Sequence, residues 1–153
     1  MKLVRKFAIY CAAAFALIGF ILVMASPALV VDSNYGLGLS VPGTNAIFGA
    51  NGNPGFGTAL TAWIFALIAL LGLICLCALP FAKKVKLDAK PKAFVGCFLA
   101  LLLLTCGILV FCVKADAQWE IGRVGAGWII AGIFYILAAI GVACDPVFVL
   151  LGK

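Results

Sequence analysis

The sequence predicts an all-α membrane protein: a four-helix transmembrane bundle with a small β-hairpin in its first extracytoplasmic loop. Three observations predict it. Of 153 residues, 67% are hydrophobic and 10% charged, against roughly 45–50% apolar and about 25% charged in a soluble domain. A water-soluble sphere of this size could not hide so much carbon behind so few charges. Four charge-free stretches are each long enough to cross about 30 Å of hydrocarbon as a helix, and the basic residues cluster in alternate connections, on one side. The composition excludes a disordered chain, a disulfide miniprotein and a soluble enzyme.

The four spans are Phe7–Ala25, Thr58–Leu79, Ala93–Val113 and Val124–Cys144, so residues 1–153 form one four-span membrane domain. The third contains thirteen Phe, Leu, Ile or Val residues, which favour insertion by about 4–8 kcal/mol with no charge to offset it. Runs such as Leu101–Leu104 do not alternate apolar with polar, which excludes a membrane β-barrel. The first span follows Lys2, Arg5 and Lys6 and ends at Val23-Met24-Ala25, the form of a secretory signal. Its apolar run exceeds the usual 7–15 residues, so it reads as a retained anchor.

Charge sets the orientation. Lys2, Arg5, Lys6, the connection Pro80–Lys92 with Lys83, Lys84, Lys86, Lys90 and Lys92, and the terminal Lys153 fall on one side. Only Lys114 and Arg123, in the connection 114–123, fall on the other; the connection 26–57 has neither Lys nor Arg. The positive-inside bias then makes both termini cytoplasmic, in the plasma membrane. The net charge of +6 reads as topology and not as a nucleic-acid footprint. Trp63, Trp119 and Trp128 fall near the outer helix ends as interfacial anchors, with each indole N–H among headgroups. Pro80 and Asp145-Pro146 are expected to end the second and fourth helices, leaving Val147–Leu151 as a short tail along the inner interface.

Gly57-x5-Trp63-Ile64 and Gly122-x5-Trp128-Ile129 open the second and fourth helices in the same way. Either the two halves are a parallel duplication or apolar, Gly-rich helices are alike by composition.

Little in the spans can do chemistry. The chain has no His, which excludes imidazole bases and His-ligated metals or haem; no cofactor is expected. Asp32, Asp88, Asp116, Glu120 and Asp145 all lie outside the spans, whereas transporters and proton relays keep such groups at bilayer depth. Within the spans the polar groups are Thr61, Thr105, Tyr10 and Tyr135. Cys11, Cys75, Cys77, Cys97 and Cys144 gather toward the cytoplasmic ends, where they either invite acylation or serve as small packing residues. Cys75-x-Cys77 is not a CxxC redox motif.

Small residues recur at Gly127, Ala131, Ala139 and Ala143, with Tyr135 on the same line, reading as a close-packing face within the bundle or between protomers. The 32-residue first outer loop (26–57) is the favoured interaction region. Leu37, Leu39 and Val41 alternate with Gly38 and Ser40. Pro42-Gly43-Thr44-Asn45 reads as a turn and Ala46-Ile47-Phe48 as a returning strand. Leu37, Leu39, Val41, Ile47 and Phe48 are its expected contact residues.

A long first outer loop with strand character, a short second one and both termini inside: this layout resembles that of four-helix tetraspan proteins such as the claudins. A claudin's first outer loop carries a Trp-rich signature and a cysteine pair. Ser26–Gly57 has neither Trp nor Cys, so the resemblance implies an architecture. The function expected is that of a non-enzymatic structural or scaffold protein, associating with membrane lipids and laterally with itself or with partner membrane proteins. The alternative is an oligomeric pore or channel for ions or small solutes.

Overall fold

The computed structural model describes residues 2–30, 40–48, 60–78, 89–116 and 123–150. Helix α1 (Lys2–Ala25) leads into strand β1 (Pro27–Val30); strand β2 (Ser40–Pro42) passes directly into a short helix α2 (Gly43–Phe48). Helices α3 (Leu60–Ala78) and α4 (Ala89–Asp116) follow, then strand β3 (Arg123–Val124) and helix α5 (Ala126–Leu150). Four helices are long and apolar enough to cross a membrane, over Phe7–Ala25, Leu60–Cys77, Ala93–Val113 and Ala126–Cys144.

These four pack in a ring. Helix α5 lies against α4 and α1, α3 lies against α4, and a lighter contact between α1 and α3 closes the circle. The centre is filled by Phe65, Leu99, Leu103, Cys106, Val110, Trp128 and Tyr135. Large aliphatic side chains such as Leu67, Leu70, Ile74, Leu101, Ile108 and Ile133 point outward, the pattern of a helix set whose solvent is hydrocarbon.

Glycines set how closely the helices meet. At Gly107 on α4, an added Cβ would stand 2.8 Å from Ile136 Cγ1 and 3.1 Å from the Gly132 carbonyl oxygen of α5. At Gly132 it would stand 2.7 Å from the Phe111 ring. Along α1 and α5, Ala12 meets Gly141, Gly19 meets Tyr135 and the Ala131 carbonyl, and Ser26 meets Gly127, so the two helices run antiparallel. This corrects the single face expected from Gly127 to Ala143. At about 100° per residue, sixteen residues end about 160° away from the start. Steps of four therefore wind around the helix, and Gly141, which is off that line, meets Ala12 and the Ala8 carbonyl of α1.

Two helix boundaries also differ from expectation. Helix α5 continues through Pro146 to Leu150; membrane helices tolerate proline where the freed backbone groups find other partners. The fourth span begins at Ala126, because Arg123-Val124 is a strand. Helix α4 begins at Ala89, with Pro91 in its first turn, where the missing N–H costs nothing.

At one end of the ring sits a three-stranded sheet in the order β2-β1-β3. Strand β1 pairs antiparallel with β2 through Leu29↔Val41 and Val30↔Ser40, and with β3 through Leu29↔Val124 and Val30↔Arg123. A hairpin is present, but its composition differs from the expected one. Ala46–Phe48 is helical, not a returning strand, and Ser40–Pro42 pairs back onto Pro27–Val30. The buried residues of α2 are Gly43, Ala46 and Ile47, spaced i, i+3, i+4 as one face of a helix demands.

Candidate functional site

The feature most specific to this chain is the way the sheet end is fastened to the helices. It starts with a carbonyl. Val23 lies in the last turn of α1, where a helix leaves its final carbonyl oxygens without intrahelical donors. The residue four positions on is Pro27, which has no N–H to give. The missing donor comes from 105 residues away: Trp128 Nε1–H donates to the Val23 oxygen at 3.0 Å, in a fully buried contact. One residue earlier, the Ser26 N–H donates to the Leu22 oxygen at 3.0 Å, and the Ser26 hydroxyl donates to the same oxygen.

Two glycines let the backbone close around this bond. The Gly43 N–H donates to the Ser26 oxygen at 3.0 Å. A Cβ on Gly43 would collide with the Val23 oxygen itself and stand 3.0 Å from Trp128 Nε1. The Gly125 N–H donates to the Ala28 oxygen, and the Gly125 oxygen accepts the Trp128 and Ile129 N–H groups, capping the first turn of α5. A Cβ there would collide with the Pro27 carbonyl. The end of α1, β1, the start of α2 and the start of α5 thus converge on one buried indole.

Below it, Phe65 of α3 contacts the Trp128 ring at 6.4 Å and stands edge-on to Tyr135 at 5.3 Å. The Tyr135 hydroxyl is buried with no hydrogen-bond partner. Among the described residues no charged side chain is buried, and no three His, Cys, Asp or Glu residues gather to hold a metal ion.

The residues singled out in the sequence are distributed unevenly. Trp128 is a correction: it is 0% exposed and bonded to α1, so it is a core latch and not an interfacial anchor. Trp63 is 52% exposed on the bundle surface, and Trp119 lies outside the described residues, as do Leu37 and Leu39. Ile47 is buried under α2 and cannot offer a contact surface; Val41 is half-buried, whereas Phe48 is 60% exposed. Gly127, Ala131 and Ala139 lie inside the chain's own packing, and Ala143 is half-buried. Cys75, Cys77 and Cys144 are exposed and Cys11 and Cys97 half-buried. The Thr105 hydroxyl donates to the Leu101 oxygen at 2.9 Å.

Sequence reasoning missed Ser26, Gly43, Gly125 and the role of Pro27. One signal was available: a proline two residues past a helix end leaves a carbonyl four residues back in search of a donor. No family model, curated protein or solved structure matches the chain.

Proposed function

We propose that the chain is a non-enzymatic scaffold protein of the plasma membrane, with both termini cytoplasmic, that associates laterally with itself or with partner membrane proteins through its exoplasmic cap. The observation that carries this reading is the cap itself. Three strands and a short helix, drawn from both connections at that end, are fastened to the bundle by the Trp128–Val23 bond and present the Phe48 ring outward. Exposed aromatics on a rigid support are the residues that dominate protein interfaces. The interior supports a non-catalytic, non-conducting role, because its centre is filled with apolar side chains and holds no charge among the described residues.

The test is native mass measurement after extraction in mild detergent, alongside cross-linking in the intact membrane. Wild-type protein should run above the monomer or with a stoichiometric partner. Phe48→Asp should weaken that association at least tenfold while the helical circular dichroism is unchanged. A wild-type chain that stays a lone monomer in both assays sinks the proposal. Reproducible single-channel conductance that Thr105→Leu abolishes would replace it with a pore running between copies.

A further inference from the structure

Beside the start of α5 lies a groove of about 290 Å³, lined by Val30, Arg123, Val124, Gly125, Ala126 and Ile129. Its position follows from the fold. The apolar span of α5 begins at Ala126, and the sheet begins immediately above it, so the groove lies where hydrocarbon gives way to headgroups. Its walls are almost wholly carbon, and water in such a space lacks the two to four polar partners that would hold it. Arg123 is exposed at the rim. It makes a contact within the chain, yet a guanidinium has five N–H donors in a planar fork that suits phosphate.

Below the groove the same face of α5 continues as an exposed apolar track. Ile129, Ile133, Leu137 and Ile140 all point outward, and their spacing keeps them within about 80° of one another around the helix. From Ile129 to Ile140 the helix rises about 16 Å, close to half of a hydrocarbon core about 30 Å thick. A cationic rim above an apolar groove, which opens onto a track one leaflet deep, fits one kind of occupant.

We propose that this groove is a phospholipid site: the phosphodiester sits on Arg123, the glycerol region in the groove, and one acyl chain along Ile129, Ile133, Leu137 and Ile140. The site requires only that α5 spans the membrane and is independent of any protein partner.

The experiment uses full-length, delipidated protein in mild detergent, with native mass spectrometry counting lipid adducts and thermal unfolding read in parallel. The probes are dioleoyl phosphatidylcholine and dioleoylglycerol, which share acyl chains and differ in the phosphate headgroup. Wild-type protein should bind the phospholipid at least tenfold more tightly and melt at a higher temperature with it. Arg123→Gln should abolish that preference and Arg123→Lys should retain most of it, while dioleoylglycerol binding stays the same in all three. Ile129→Trp, which fills the groove without touching the charge, should reduce both lipids together. Equal binding of the two lipids by wild type, a measurement that needs no variant to fold, would overturn the proposal. So would an unchanged preference in Arg123→Gln, or displacement of the phospholipid by millimolar inorganic phosphate, which would mark a site for the free anion.

Discussion

The two halves of the chain each place a Trp-Ile pair near the start of their second long helix, Trp63-Ile64 on α3 and Trp128-Ile129 on α5, and the two tryptophans meet opposite fates. Trp63 is half-exposed on the bundle surface; Trp128 is sealed inside and bonded to Val23. Hydropathy cannot tell them apart, since both open apolar helices of similar length. What separates them is a demand elsewhere. Pro27 leaves the Val23 oxygen without its usual helical donor, and the α5 indole supplies one. The surroundings differ in the same sense. Among the described elements, α4 and α5 share the most extensive contact, across Gly107 and Gly132, while α1 and α3 touch lightly and lean on their other neighbours. A tryptophan in a membrane helix is thus an anchor by default and becomes a structural donor where the fold presents an unmet carbonyl.

The sharpest way to break this comparison is to truncate both rings. Trp128→Ala removes a buried side chain from the junction of α1, β1, α2 and α5, and should cost about 3–5 kcal/mol, the usual range for a buried aromatic. Trp63→Ala empties no cavity and should stay within about 0.5 kcal/mol of wild type. Reversible unfolding in detergent micelles, followed by circular dichroism, measures both. Equal costs would mean that Trp128 is not the latch described.

A smaller effect isolates the bond from the bulk. Trp128→Phe keeps an aromatic ring against Phe65 and deletes the N–H, leaving the Val23 oxygen buried and unpaired at a cost of about 1–3 kcal/mol. The same change at Trp63 should be neutral. The loss should be local as well: amide exchange should quicken at Ser26 and Gly43, which pack around that carbonyl, before it quickens at Leu103 in the centre of α4. Uniform quickening across both regions would place the latch and the bundle core in one cooperative unit.

The parts legible in the sequence are those that depend on composition along a single segment. The four spans are read from runs of about twenty apolar residues, because the bilayer imposes that length on each helix independently. Strand character around Val41 is read from alternation, though the expected turn and returning strand are helix α2. The register of that strand is not, because the partner of Ser40–Pro42 lies upstream at Pro27–Val30 and the sheet's third strand comes from the other connection. Ala46 and Ile47 look as apolar in a strand as in a helix, and three residues are too few for periodicity to decide. The latch was least legible of all, since its two ends are 105 residues apart and nothing near Trp128 records that Val23 lacks a donor. The glycines Gly43 and Gly125 read as ordinary loop residues until the neighbouring backbone is in place.

The last and smallest effect carries the comparison from the tryptophans to the helices that bear them. Gly107 on α4 and Gly72 on α3 both lie inside apolar helices, and alanine is the better helix former by roughly 0.5–1 kcal/mol. Their surroundings set the sign. At Gly72 a Cβ would meet Leu103 Cδ2 at 3.4 Å, an ordinary contact that a leucine methyl accepts, so Gly72→Ala should raise stability by up to about 1 kcal/mol. At Gly107 the new atom faces a backbone oxygen of α5 at 3.1 Å as well as Ile136. Backbone cannot swing aside, so α4 and α5 must separate, and overpacking of this kind costs about 1–3 kcal/mol. Net of the helix gain, Gly107→Ala should therefore lower stability by about 1 kcal/mol, and the two variants should shift the unfolding midpoint in opposite directions. If both raise it, the α4–α5 crossing is looser than the glycine pair implies, and the tight half of the molecule owes its rigidity to the Trp128 latch alone.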